Sequence, residues 1–181
     1  FKGKKIIEPK DTKTRPLKDL TKESIFNIIE HSNKFNINLN ESIILDLFSG
    51  VGSFGIECLS RGAKKVVFIE NYSGVLPILK KNLADLKIIN NYEIFERDIY
   101  KSNFQLDFNN KFDLIFLDPP YADKNINELL SKIIKSELLN DFGIIIIHRH
   151  KSEKLVFLSD FKIIDEKKYG VSKIFFISKL N

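Results

Sequence analysis

A chain of 181 residues, 43% hydrophobic and 29% charged, has the size of one domain and enough apolar side chains to bury a core. No apolar run approaches the ~20 residues that span a bilayer, and no apolar signal core follows the Lys-rich start, so the reading is a soluble, cytoplasmic protein. The lone Cys58 excludes an intramolecular disulfide, and His31, His148 and His150 have no partners at metal-ligand spacing, so no metal is expected.

The formal net charge of +5 is concentrated at the start. Residues 1–22 carry Lys2, Lys4, Lys5, Lys10, Lys13, Arg15, Lys18 and Lys22 against Glu8, Asp11 and Asp19, which leaves the rest of the chain balanced. Such a basic extension suits the tracking of phosphates, and equally a solvated Lys-rich terminus. The chain contains no Met, which reads as a start lost or processed. From Asp19 to Glu30, Ile25, Ile28 and Ile29 share one helical face, predicting a helix laid over the cofactor side of the unit that follows.

That unit runs from Ser42 to Gly55, a short apolar strand entering a glycine turn and then a helix. Gly50, Gly52 and Gly55 form G-x-G-x-x-G, and Glu70 stands at the end of the next strand, twenty residues beyond Gly50. Glu70 can accept from both hydroxyls of a ribose, so the pattern fits a nucleoside cofactor, either NAD or S-adenosylmethionine. Asp46, just before the turn, would crowd a pyrophosphate at the helix N-terminus and suits the cationic end of S-adenosylmethionine. Cys58, on the following helix, reads as a small buried side chain more than a reactive thiol.

Strands are predicted at 43–48, 65–70, 92–96, 112–117 and 142–148, alternating with helices at 53–60, 73–86 and 125–136. The third strand leads to Asp98 and Ile99, which could accept from an adenine amine and pack on its ring; an Asp at a strand end is also often only a cap for the next helix. Phe104 to Lys111 reads as a flexible loop. After the fourth strand comes Asp118-Pro119-Pro120-Tyr121. An exocyclic base amine is a poor nucleophile because its lone pair spreads into the ring. A carboxylate and a fixed main-chain carbonyl can accept its two N–H groups and draw it towards sp3 geometry, while Tyr121 offers a ring for an extruded base. Two prolines lock φ and remove two donors, which stiffens the turn but also describes a plain strand terminator. Residues 122–125 form a candidate lid. Runs at 161–167 and 172–178, joined by Lys168-Tyr169-Gly170-Val171, can only make an antiparallel hairpin. The fold expected is α/β: a single Rossmann-like methyltransferase domain over 1–181, with a seven-stranded, mostly parallel sheet, a C-terminal antiparallel hairpin and helices on both faces.

Leu45 to Ala63, Arg15-Pro16 with Ile25-Phe26-Asn27, Asp118 to Tyr121, and Tyr169 to Ser172 together resemble the bacterial 16S rRNA guanine-N2-methyltransferases of the RsmD type. The resemblance implies cofactor contacts from Asp46, Phe48, Gly50, Gly52, Glu70, Asn71, Asp98 and Ile99, amine activation by Asp118 and Pro119, and base stacking by Tyr121. It implies S-adenosylmethionine as cofactor and, as substrate, 16S rRNA within the 30S subunit or an assembly intermediate, met by a monomer. Leu17, Val51 and the pair His148-Arg149 depart from the family pattern, in which the fifth strand usually ends on an acid. Guanine over adenine rests on the resemblance alone, so an N6-adenine methyltransferase is the first alternative. RNA is favoured over DNA because no spare segment of these residues is large enough to read a DNA target. An NAD-dependent oxidoreductase and a non-catalytic RNA-binding module are the more distant alternatives.

Overall fold

Period-two alternation along the strands decides the layering. In the computed structural model, which describes residues 6–9, 17–86, 91–104 and 108–180, the elements are α1 (Asp19–His31), β1 (Ile43–Leu47), α2 (Ser53–Ser60), β2 (Lys65–Glu70), α3 (Leu76–Asp85) and β3 (Tyr92–Glu96). Then come β4 (Phe112–Leu117), α4 (Ile126–Lys135), β5 (Leu139–His150), β6 (Phe161–Tyr169) and β7 (Ser172–Lys179). One seven-stranded sheet has the order β3-β2-β1-β4-β5-β7-β6. β1 to β5 pair in parallel, and β7 runs antiparallel to both β5 and β6. The expected mixed sheet is therefore present.

Successive side chains of a strand point to opposite faces. Ile44, Val66, Phe68, Leu114, Phe116, Ile144, Ile146 and Phe176 share one buried cluster with apolar residues of α1, α2 and α3. Leu45, Leu47, Val67, Ile69, Ile115, Leu117, Ile145, Ile147 and Phe175 share the other with Ile126, Leu129, Leu130 and Ile133 of α4. Helices thus cover both faces, as parallel strands apolar on both sides require.

On the first face Phe54 of α2 stacks between Phe26 of α1, at 5.1 Å, and Phe116 of β4, at 3.9 Å. This column fixes α1 and α2 on the sheet, and truncating a buried Phe of this kind to Ala costs about 3–5 kcal/mol. The basic extension's Lys2, Lys4, Lys5, Lys10, Lys13 and Arg15 lie outside the described residues.

Some boundaries differ from expectation. α3 starts at Leu76 rather than 73, because Ser73 and Gly74 form a turn closed by Val75 N–H on Tyr72 O, and Pro77 favours the first helical turn. β5 starts at Leu139 rather than 142, since Leu139 pairs with Phe112 before the register shifts between Phe112 and Leu114. The hairpin loop shrinks to Gly170-Val171, with Gly170 at φ 58 in the left-handed region. Phe104, expected in a flexible loop, is 1% exposed, and Phe108 packs edge-on against Phe95 and Phe112.

Candidate active site at the carboxyl ends of the strands

The turn after β1 is shaped by left-handed residues. Phe48, Gly50 and Gly52 have φ of 61, 55 and 85. Gly52 caps α2 with φ in the left-handed region that favours glycine, and a Cβ there would also have to displace Leu79 Cδ1. Gly52 N–H donates to Ser49 O, and the Ser49 hydroxyl contacts Asp46 O at 2.7 Å. Asn82, buried on α3, donates to Val51 O and exchanges bonds with Ile7, tying the segment around Ile7 to the turn.

Asp46 sits beneath this turn. Its side chain is 1% exposed, and Oδ2 accepts from Gly55 N–H at 3.0 Å. Burial pushes its carboxyl well above the usual carboxylate range, opposed by the Gly55 bond and reinforced by the charges of Asp118 and Glu70. Glu70 Oε2 accepts from Gly50 N–H at 2.7 Å, and Oε1 accepts from the N–H groups of Asn71 and Tyr72, both at 2.8 Å. One carboxylate thereby joins the end of β2 to the glycine turn. Asp98 accepts from Tyr100 N–H at 3.0 Å through Oδ1, closing a turn, and its side chain remains 33% exposed. Ile99 is buried, Asn71 is exposed, and Phe48 is half-buried with its ring 6.1 Å from that of Tyr100.

At the end of β4, Asp118 Oδ1 lies 2.7 Å from His148 Nδ1, and His148 Nε2 lies 2.9 Å from Ser172 Oγ. Asp46, Glu70, Asp118, His148 and Ser172 have the same strand parity and so share the face covered by α1 to α3. Arg149 has the opposite parity. Its side chain is 2% exposed and donates through Nε to Glu153, through Nη1 to Pro119 O and Pro120 O, and through Nη2 to Tyr121 O and Asp123 O. A planar fork with five donors suits an array of carbonyls that a Lys could not span. Asp123 also accepts from the Tyr100 hydroxyl at 2.7 Å; burial first, and this hydrogen bond second, raise the Tyr100 phenol well above its ordinary value, which keeps it a donor. Residues 122–125, expected as a lid, include a segment pinned from two sides. The Tyr121 ring is half-buried, 5.9 Å from the His148 ring and 5.3 Å from that of His150.

The structure therefore places Asp46, Phe48, Gly50, Gly52, Glu70, Asn71, Asp98, Ile99, Asp118, Pro119 and Tyr121 at or just beyond the carboxyl ends of four adjacent strands. Tyr100 and Asn82 had no place in the sequence reading, which noted His148-Arg149 only as a departure from the family pattern and Ser172 only within a resembling run. The available signal was Arg149, one residue beyond the apolar run Ile144 to Ile147 and His148, where a buried charge demands partners. Among the described residues no cluster of His, Cys, Asp and Glu could hold a metal ion, and no helix is long and apolar enough to cross a membrane.

A mostly parallel sheet closed by an antiparallel β7, with a glycine turn after β1 and acids at the neighbouring strand ends, defines a class I methyltransferase fold. The chain belongs to the RsmD-like methyltransferase family, whose model, described as conserved hypothetical protein 95, matches residues 1–178. It is 30% identical over 172 residues to the ribosomal RNA small subunit methyltransferase D of Haemophilus influenzae, covering 94% of this chain and 86% of that one. The Escherichia coli protein of the same name is 27% identical over 147 residues, covering 81% of this chain and 70% of that one. A solved Streptococcus pyogenes structure, described as a conserved hypothetical protein, superposes with a TM-score of 0.74 at 28% identity, covering 86% of this chain and 93% of that one.

Proposed function

We propose that this chain transfers the methyl group of S-adenosylmethionine to the exocyclic N2 amine of a guanine in small-subunit (16S) rRNA, presented by the 30S subunit or an assembly intermediate. The observation that carries the proposal is Asp118: a partly exposed carboxylate, 20% by side chain, held by one oxygen at the end of the strand beside the glycine turn. Relatives named as small-subunit rRNA methyltransferases support the RNA substrate.

The residues present fit the cofactor by their chemistry. Acceptors stand at the ends of β3, β2, β1 and β4, which are sheet neighbours. Strands ~4.8 Å apart set these ends over roughly 14 Å, a reach suited to a nucleoside with an amino-acid tail. Carboxylates at each of these ends suit amine, hydroxyl and cationic groups, and would repel a pyrophosphate. Asp98 and Ile99 would hold the adenine, Glu70 and Asn71 the ribose, and Phe48, Gly50 and Gly52 the methionine end. Asp46 would act from beneath, through the turn that its bond to Gly55 fixes. When bound, S-adenosylmethionine supplies a methyl group activated by its sulfonium.

The chain's own residues prepare the amine. Asp118 accepts one of its hydrogens through the oxygen that His148 leaves open. Pro119 O accepts the other; its contact with Arg149 at 3.3 Å is the longest of that residue's four carbonyl contacts. Tyr121 stacks on the extruded base. Asp118 needs only to accept a hydrogen bond, because the amine proton becomes acidic once the nitrogen is alkylated. Most of the rate then comes from alignment of the amine with the methyl group. Lysines of the basic extension would track phosphate groups.

Tritiated methyl transfer to undermethylated 30S particles, followed by nucleoside identification, tests the proposal. Label in N2-methylguanosine is expected. Label in N6-methyladenosine would overturn the base assignment, and absence of transfer to any RNA would overturn the enzymatic reading.

A further inference from the structure

We propose that His148 is a positioning residue for methyl transfer: its Nδ1–H holds one oxygen of Asp118 so that the other faces the amine, and Ser172 holds the imidazole that does so. This rests on the functional reading above.

Both ring nitrogens of His148 have partners, Asp118 Oδ1 at 2.7 Å and Ser172 Oγ at 2.9 Å. The residue is 7% exposed and Ser172 is 4% exposed. An ionised carboxylate only accepts, so the ring atom that faces it carries the proton, which assigns Nδ1–H. Nε2 of the neutral ring then accepts from the Ser172 hydroxyl. A hydroxyl can also accept, so Ser172 holds the ring equally well as an imidazolium, which donates from both nitrogens. The orientation of Asp118 is thus kept while the charge beside it is free to change. Ser172 reaches His148 diagonally across the β5–β7 ladder, in which its direct partner is His150.

The charge state matters to the amine. Beside a neutral imidazole, Asp118 keeps its full negative charge for the amine hydrogens; beside an imidazolium much of that charge is compensated. Protonation of His148 should therefore slow transfer without displacing Asp118. The loop after β4 presents the Tyr121 ring at 5.9 Å, and β7 presents Ser172. Arg149 points to the opposite face and is committed to Glu153 and the loop carbonyls, while His150 Nδ1 lies 2.6 Å from Ser152 Oγ. From β1, the Asp46 charge interacts with Asp118.

Two measurements test this. In 15N-imidazole spectra of the wild-type protein at pH 8, His148 should be protonated at Nδ1 and unprotonated at Nε2; the reverse tautomer overturns the proposal. In single-turnover methyl transfer followed against pH, the wild-type rate should fall on the acid side with one protonation. His148→Asn places an amide N–H where Nδ1–H stood, so its rate should stay within ~10-fold of wild type while the acid limb disappears. His148→Gln and His148→Ala should lose ~100-fold, the scale of a misplaced reacting group, with cofactor affinity unchanged. An alanine variant with wild-type rate and wild-type pH profile overturns the proposal. If that variant does not fold, the wild-type tautomer decides. A wild-type protein inactive on every RNA sinks the functional reading instead, and the spectra still decide the Nδ1–H assignment.

Discussion

The acids at the ends of β1, β2 and β3 are satisfied by nearby main-chain N–H groups, whereas Asp118 at the end of β4 is held by a side chain thirty residues away. On the side proposed for the cofactor, Asp46 bonds Gly55, Glu70 bonds Gly50, Asn71 and Tyr72, and Asp98 bonds Tyr100. On the side proposed for the amine, His148 and Ser172 hold Asp118, and Arg149 gathers the carbonyls of the loop that follows. Both arrangements preorganise oxygen acceptors. The first does so through main-chain N–H groups of the segments that follow the strands, Glu70 reaching across from β2 to the turn after β1, and the second by side-chain contacts that exist only once β4, β5 and β7 are assembled. Damage to the amine side should therefore cost stability and catalysis together, and damage to the cofactor side chiefly ligand affinity.

Arg149→Ala should have the largest effect. It leaves Glu153 and four loop carbonyls without their common donor, and breaking such a buried set typically costs about 3–5 kcal/mol. Urea denaturation would measure it, and a loss under 1 kcal/mol would show that the loop holds itself.

Asp118→Asn keeps an oxygen for the His148 N–H and removes the charge offered to the amine. Methyl transfer should drop by at least ~100-fold in single-turnover assays, with cofactor affinity retained, comparable to losing one preorganised electrostatic contact. A near wild-type rate would reduce Asp118 to a turn residue.

Glu70→Ala should weaken S-adenosylmethionine binding by roughly 1.5–3 kcal/mol in calorimetry, the scale of hydrogen bonds to a charged group, with the fold retained. Unchanged affinity would mean that the carboxylate serves only the three N–H groups it already bonds.

The smallest effect should come from Asp46→Asn. Because burial raises the folded-state value of this carboxyl, its contribution to stability is present at low pH and is lost as pH rises through the raised value. The amide keeps an acceptor for Gly55 N–H and does not ionise. Denaturant midpoints measured across pH should show the variant gaining on wild type as pH rises. A constant difference would mean that Asp46 does not titrate over that range.

How much of this was legible beforehand follows from the distances along the chain. Alternating apolar residues determined the strands and the two-faced core, because side chains of a strand alternate whatever their neighbours are. That Gly50, Gly52, Glu70 and Asp98 stand at turns and strand ends was legible from spacing alone, whereas the reach of Glu70 back to Gly50 N–H was not. Residues 122–125 read as a lid because polar residues after a double proline carry no trace of Arg149. The same limit left His148 and Arg149 as a departure from a pattern. By itself the sequence determined that a carboxylate and a stiff turn follow β4. Only the tertiary structure decided that β5 lies beside β4 and β7 beside β5, sending His148 to Asp118 on one face and Arg149 to the loop on the other. The physical reason is that strand neighbours are chosen by crossovers and burial over the whole sheet, which no local spacing encodes.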